Sequence, residues 1–335
     1  MFFKRDKSAV SLGKPIWLKI SIGVACAVVV VMIGLSWYWS RSPDVFYVTH
    51  KTNNGNTVIG YATTDTLVRV ASTMLDKPGG FLSNDRMPPS VFLDNIPAWE
   101  FGVLQQVRDL ARILRNDYSR SQSQSREDSD ISSAEPAFFV NHNSWILPRA
   151  ESEYRNAIDG FTRYRDRLAG VGGSEAQFFA RADNLREWLA QVEKRLGSIT
   201  RRLGDSVATT VINTDLAGDS AAEANTTLAD SVSVKTSWFK IDDVFFEARG
   251  TSWALIHFFR AAEFDFARVL ADKNAQASVR QIIREFEASL QPLQSPIVLN
   301  GGGFGLFANH SLVMANYLAR ANAAIINLRE LLDQG

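Results

Sequence analysis

The amino-acid sequence predicts an all-α protein, with one N-terminal transmembrane helix followed by a multi-helix bundle built on long antiparallel hairpins. Three observations carry this. Ile20 to Leu35 is an apolar run without a charge, closing on Trp37-Tyr38-Trp39. Two later stretches repeat apolar residues alternately three and four apart, the period of a buried helical face. A strand pattern is confined to a small β-hairpin near residues 45–62, where Val45-Phe46-Tyr47-Val48 and Thr57-Val58-Ile59 flank Asn53-Asn54-Gly55-Asn56.

Residues 16–39 form the predicted span, since about 20 apolar residues rising 1.5 Å each cross a ~30 Å hydrocarbon core. Before and within its start stand Lys4, Arg5, Lys7, Lys14 and Lys19 against the single acid Asp6. Basic residues stay inside, so residues 1–15 read as a cytoplasmic basic tail and the rest as exported. Trp17 at one end and the Trp-Tyr-Trp cluster at the other suit the interfacial belts. Trp37-Tyr38-Trp39 is bulky where a signal peptide would be cut, which argues for an anchor. Cys26 after Val24-Ala25 loosely resembles a lipid acceptor, but Gly23 precedes it and the apolar run continues past it.

The chain holds 36 basic and 36 acidic residues. Beyond Trp39 there are 31 basic and 35 acidic, a net of −4 with mixed signs, which argues against nucleic acid as a partner. Cys26 is the only cysteine, so no disulfide holds the body, and packing must hold it instead, in keeping with the 36 aromatic residues (Phe, Trp and Tyr) of the chain.

Residues 40–204 read as a first helical subdomain. Thr64 is the expected cap of a helix carrying Leu67, Val70, Ala71, Met74 and Leu75, stopped by Pro78-Gly79-Gly80. Phe81 to Ala98 reads as an irregular packed loop. Pro97 then opens a helix with Val103, Leu104, Val107, Leu110 and Leu114 inward and the row Arg108, Arg112 and Arg115 outward. That row reads as a solvated face, or as a docking face for anionic lipid or a partner. Residues 118–136 are almost purely polar and read as a linker by composition.

Two heptad seams follow as the hairpin 147–204. The first runs through Leu147, Ala150, Tyr154, Ala157, Phe161, Tyr164 and Leu168; the second through Phe178, Ala182, Leu185, Leu189, Val192, Leu196, Ile199 and Leu203. A short turn at Gly170-Val171-Gly172-Gly173 and a capping box at Ser174 and Gln177 predict antiparallel partners with a coiled-coil seam. The second helix outruns the first, so Phe178, Leu185, Leu189, Val192, Leu196, Ile199 and Leu203 form the expected helix-pairing surface for self-association or another protein.

Residues 205–233 read as a long polar loop, and 234–335 as an aromatic-rich helical subdomain. In the latter, Phe245, Phe246, Trp253, Phe258, Phe259, Phe264 and Phe266 do not keep to one stripe, the mark of a helix buried on several sides. Val279, Ile282, Ile283 and Phe286 mark another helix closed by Pro292, and Leu312 to Leu332 a last one after Gly301-Gly302-Gly303-Phe304-Gly305.

No catalytic pattern is coherent. Ser237-Trp238-Phe239-Lys240 fits a serine–lysine pair, but the companion motifs are out of order and the sheet such enzymes need is missing. His50, His142, His257 and His310 are scattered, so no metal and no cofactor is expected. The glycine run lacks the Lys-Ser/Thr of a phosphate loop. Glu263 falls on an apolar seam and is expected to be paired with Arg260 or Arg268 or exposed at the edge, the alternative being a buried carboxylate with a raised pKa. The best acid cluster is Asp85, Asp94 and Glu100 beside Trp99, which would suit glycan binding or cleavage if the carboxylates converge about 5–10 Å apart.

The segments Asp76-Lys77-Pro78-Gly79-Gly80-Phe81-Leu82-Ser83-Asn84-Asp85, Asp94-Asn95-Ile96-Pro97 with Trp99-Glu100-Phe101-Gly102, and Ser119-Arg120-Ser121-Gln122-Ser123-Gln124-Ser125 are distinctive. On them the chain resembles a family of uncharacterised single-pass inner-membrane proteins of Gram-negative bacteria, over nearly all of residues 15–335, with Phe81 where Tyr is usual. The resemblance implies an inner-membrane anchor and a periplasmic body. It brings no activity and hence no catalytic residue, and it implies that 119–125 is an ordered loop rather than a linker. The expectation is a non-catalytic envelope scaffold or assembly partner, with the glycan reading second. A sensor role is disfavoured, because about 15 residues inside leave no room for an output domain.

Overall fold

The computed structural model describes residues 14–53, 56–121, 126–172, 176–207, 209–212, 231–295, 297–303 and 305–334. The protein is mostly helical. Helix α1 (Lys14–Trp39) is long and apolar enough to cross a membrane over Trp17–Trp39, and none of that stretch is buried in the protein.

Residues 40–51 follow as an irregular strap, and the expected hairpin shrinks to β1 (Thr52–Asn53) and β2 (Asn56–Thr57). The Val45–Val48 stretch is not a strand, because Phe46 lies on the body: its ring stacks on His257 and its N–H donates to His257 Nε2 at 3.0 Å.

Helix α2 (Tyr61–Asp76) starts before Thr64. Its cap comes from far along the chain, where the Asp265 carboxylate accepts from Gly60 N–H at 2.8 Å and Thr63 N–H at 2.6 Å. Helix α3 (Asn95–Ile113) begins two residues before Pro97, with Asp94 accepting from Asn95 N–H at 2.9 Å. The stretch between them is irregular apart from a single turn at Ser90–Phe92, as the prolines predict.

The polar stretch after α3 is structured where it is described. It contains α4 (Ser129–Ala134), capped by Asp128, and a turn at Glu135–Phe139. Arg167 holds Asp128 and Asp130, and Arg115 holds Glu127 and Glu135, so paired charges order a segment that composition reads as a linker. Residues 122–125 of the serine-glutamine run lie outside the described residues.

Helices α5 (Ala150–Leu168) and α6 (Ala182–Gly204) carry the two heptad seams except their first members, Leu147 and Phe178, which precede the helices, Leu147 being exposed, and the two helices are not each other's partners. Helix α5 packs on α2 and α4. It runs antiparallel to α2, as ion pairs Arg165–Asp65 and Arg155–Asp76 show. Helix α6 packs along α10 (His310–Asp333), antiparallel through Arg186–Asp333 and Arg329–Glu193. The reason is local. Residues 176–181 are extended, pinned by Phe179 N–H to the Tyr118 carbonyl at 2.7 Å and by Tyr164 O–H to the Gln177 carbonyl at 2.6 Å. The second helix therefore starts at Ala182, and the short helix-to-helix turn is replaced by a longer crossing. Ser174 of the expected capping box lies outside the described residues.

The 205–233 stretch is not wholly irregular. Strands β3 (Thr209–Ile212) and β4 (Ser231–Val234) pair antiparallel, Thr209 opposite Val234. β-branched Thr209-Thr210-Val211-Ile212 and the alternating Ser-Val-Ser-Val supply strand-forming residues. Residues 213–230 lie outside the described residues.

Helix α7 (Ile241–Asp265) is buried on several sides, as its aromatic distribution predicts, and is the axle of the body. It touches α2, α3, α6, α9 (Gln276–Ser289) and α10, with the short α8 (Ala267–Asp272) between α7 and α9. Its closest neighbour is α3. A Cβ on Gly102 would stand 2.1 Å from the Glu247 carbonyl oxygen, and one on Gly250 would stand 2.0 Å from that of Trp99. Two glycines thus let the backbones touch. One continuous apolar core, from Leu67 to Leu332, draws on both stretches read as subdomains, 40–204 and 234–335.

Candidate functional site

The acid cluster read from the sequence is divided by the fold. Glu100 lies on the second turn of α3 and is fully buried. Its carboxylate binds Lys77, accepts from Leu82 N–H and Ser83 N–H at 2.8 Å each, and from the Ser83 hydroxyl at 2.5 Å. Lys77 also donates to the Gly80 carbonyl. Burial pushes the Glu100 carboxyl up, and the Lys77 ammonium pulls against it. The group clamps the 77–83 loop onto α3.

Trp99 is buried against Trp253 and offers no open platform. Asp94 caps α3 and lines a shallow groove of about 340 Å³ with Phe101, His142 and Asp243. Asp85 lines a different groove, beside Arg149, Glu151 and Arg155. The four residues therefore do not share one cleft.

The arginine row is divided: Arg108 and Arg115 are engaged within the chain, while Arg112 stays exposed and lines a groove. Arg108 is buried, donating to the carbonyls of Phe138 at 2.7 Å and Val140 at 2.9 Å. Arg112 lies over the Phe139 ring, 3.9 Å from Glu135, and Arg115 binds Glu127 and Glu135. A period-3.6 pattern cannot distinguish an exposed arginine face from one covered by a later loop.

The helix-pairing surface is likewise used within the chain. Leu185, Leu189, Val192, Leu196, Ile199 and Leu203 are buried in the common core. Phe178 precedes the helix and packs its ring on Tyr118 and Phe266.

Sequence reasoning missed the most site-like feature, a polar groove of about 540 Å³ between α3, α6 and α7. Two ion pairs form its walls, Arg195 with Asp109 at 2.6 Å and Arg202 with Glu247 at 2.8 Å. Gln105, Gln191 and the exposed Lys194 stand along it. Gln106 and Thr251 lie at its base, both buried, and Gln106 Nε2 and Thr251 Oγ1 have no hydrogen-bond partner. A buried polar atom left unpaired costs roughly 1–3 kcal/mol, a cost that a ligand in the groove would recover only if these side chains turned toward it. No local pattern marks it, since Gln105 and Gln106 are adjacent on α3 while Gln191 and Thr251 lie on other helices.

Glu247 and Phe101 also line the smaller groove, so the two adjoin. There, burial first and then the charges of Asp94 and Asp242 push Asp243 up to about 6. Burial, helped by Arg108, pulls His142 below its ordinary value.

Two buried titratable groups on α7 were also missed. Burial lowers His257 to about 3; its Nδ1 lies 2.6 Å from the Trp253 carbonyl, which fixes that nitrogen as donor and leaves Nε2 to accept from Phe46. Burial raises Asp265 to about 6, opposed by the N–H groups it caps. The buried carboxylate on this helix is thus Asp265, while Glu263 is only half-buried. Among the described residues no cluster of three His, Cys, Asp or Glu could hold a metal ion.

These features define a class: a helical bundle behind one membrane-length helix, with a groove between α3, α6 and α7. The chain belongs to the family described as "uncharacterized protein conserved in bacteria (DUF2333)", whose model matches residues 12–335 and so takes in the apolar helix with the body. No curated protein and no solved structure matches the chain.

Proposed function

We propose that the protein is a non-catalytic scaffold or assembly partner of the bacterial inner membrane, anchored by α1 with its N-terminus cytoplasmic and its body periplasmic. Its partner-binding site is the α3–α6–α7 groove. The observation that carries this reading is the lining of that groove, where the pairs Arg195–Asp109 and Arg202–Glu247 stand with Gln106 and Thr251, whose Nε2 and Oγ1 are buried without hydrogen-bond partners. An amide donor and a hydroxyl below walls of alternating charge fit a polar polypeptide segment, whose backbone offers carbonyls and N–H groups at close intervals. The α6 seam is spent on α10, so self-association through residues 181–203 is not part of the reading.

A photo-crosslinking amino acid in place of Lys194 tests it in living cells. A discrete cross-linked protein, lost when Gln106→Leu is added, is the expected result. Cross-links to no protein, or the same product with Gln106→Leu, would refute the assignment. A reporter active only in the cytosol, fused at the C-terminus, is expected to stay silent.

One observation favours a second reading, glycan binding or cleavage. Asp94 and Asp243 share the smaller groove, and burial raises Asp243 to about 6, toward the range in which a general acid works. It retains Asp94 and gives no role to Trp99 or Glu100. Binding or turnover of cell-wall fragments that Asp243→Asn abolishes would support it; a wild-type protein that neither binds nor cleaves them ends it.

A further inference from the structure

We infer that the end of the body nearest α1 rests in the bilayer interface, with the loops before α3, α5, α7 and α10 inserted among lipid headgroups. This rests on the reading of α1 as a membrane anchor.

The fold brings these loops to one end. Trp39, the last residue of α1, packs against Gly79, where a Cβ would meet its ring at 2.8 Å. Gly79 sits in the loop that Lys77 and Glu100 clamp to the start of α3. Asn84 of the same loop donates to the Ser144 carbonyl at 2.9 Å, which ties in the segment before α5. Trp238, in the turn that opens α7, lines a cavity with Asn95, the first residue of α3. His310, which opens α10, lies 6.4 Å from the ring of Phe245 on α7. The helix starts therefore cluster where the anchor arrives. The strap then leads away from this end: the Asp44 carbonyl accepts from Trp253 Nε1 at 3.3 Å, midway along α7, and the five residues after Trp39 extend at most about 18 Å.

That end carries apolar side chains that a water-facing surface would not gather. Phe92 is 74% exposed, Leu147 91%, Trp238 67%, Phe239 83% and Phe307 72%, and Trp145 is also exposed. Trp145 and Trp238 are, among the described residues, the exposed tryptophans of the body, and both stand here. Tryptophan with an apolar ring and one N–H is the residue of the headgroup layer. The exposed Arg86 and Lys240 lie in the same loops, where they can meet lipid phosphates. Asp242 and Asp243 are close by, so insertion of rings, rather than attraction to anionic lipid, dominates the docking. The Trp39–Gly79 contact sets the depth. Trp37-Tyr38-Trp39 marks the outer boundary of the bilayer, and the loop touching it shares that level.

Site-directed spin labels on the full chain in lipid nanodiscs test this. In a Cys26→Ser background, single cysteines replace Phe92, Leu147, Phe239 and Phe307 in turn. Val28→Cys in α1 and Asp272→Cys at the opposite end of the bundle serve as references. Each label's accessibility to oxygen, which concentrates in lipid, is compared with that to a water-soluble nickel chelate. All four loop labels are expected to favour oxygen, as Val28 does, and Asp272 to favour nickel. Loop labels that favour nickel while Val28 favours oxygen overturn the docking and leave the anchor standing. A Val28 label that favours nickel overturns the anchor itself. Loop labels shielded from both reagents place a second copy of the chain on this end, and also overturn the docking.

Discussion

Substituting Lys77 by Met would remove the ammonium from a clamp in which both side chains are fully buried. The Glu100 carboxylate would keep its bonds from Leu82 N–H, Ser83 N–H and the Ser83 hydroxyl, but lose its only charge partner in that site. Truncating one member of a buried pair costs about 3–5 kcal/mol, whereas an exposed pair contributes at most about 1 kcal/mol. Total burial puts this pair in the first class, and Lys77→Met is expected to lose about 3–5 kcal/mol at neutral pH. The pH dependence follows from the same geometry. Burial already raises the Glu100 carboxyl above its ordinary 4.5, and without the ammonium it rises further. A raised folded-state value gives stability that is present below the unfolded value and lost as pH rises through the folded one. The deficit should therefore be largest near neutrality and shrink toward about pH 4.5, where Glu100 carries a proton. Urea unfolding of the full chain in detergent, followed by tryptophan fluorescence, measures it. A loss under about 1 kcal/mol at neutral pH, or an equal loss at both pH values, would refute the argument.

The remaining predictions concern α7, α3 and α6. His257 is held neutral down to about 3, against an ordinary 6.5, so folding loses stability as pH falls through that window, by up to about 1.4 kcal/mol per unit. Comparison with His257→Gln in urea melts isolates this slope, and identical slopes would reject it. Gly102→Ala sets a Cβ against the Glu247 carbonyl, so α3 and α7 must part; a thermal melt is expected to show about 1–3 kcal/mol of destabilisation. Leu196→Ala empties a fully buried position facing the common core, and about 2–5 kcal/mol of lost stability is expected in chemical denaturation. Light scattering should show no change of mass for that variant, because its partner helix belongs to the same chain.

Much of the fold was legible in the residues. The uncharged run ending in Trp37-Tyr38-Trp39 marked α1 within a few residues, and the three-four spacing of Leu185 to Leu203 placed α6 once its extended lead-in is set aside. The mixed aromatic distribution of Phe245 to Phe266 announced a helix buried on several sides, and α7 is that helix. Caps were less legible wherever they came from a distance. Thr64 looked like a helix start, yet Asp265, some 200 residues later, supplies the cap at Gly60 and Thr63. The candidate site was least legible of all. Asp85, Asp94, Trp99 and Glu100 are neighbours in sequence, but one turn of α3 sends Glu100 inward to Lys77 and leaves Asp94 at a groove. Conversely, Gln106, Thr251 and Arg195 meet although no local pattern connects them.

Residue order alone thus determined the membrane-length helix, the all-helical character and which face of each helix is apolar, because these follow from spacing along a single segment. Tertiary structure decided which seams pair. Two heptad stripes are equally able to bury against any complementary stripe, and a hydrophobic surface carries no address. Phe179 and Gln177, hydrogen-bonded to Tyr118 after α3 and to Tyr164 of α5, kept the chain out of a helix past its glycines and delivered α6 to α10 instead of α5. The same packing buried Glu100 and left the amide nitrogen of Gln106 and the hydroxyl of Thr251 unpaired along one groove, since burial and hydrogen-bond satisfaction depend on what arrives from elsewhere in the chain.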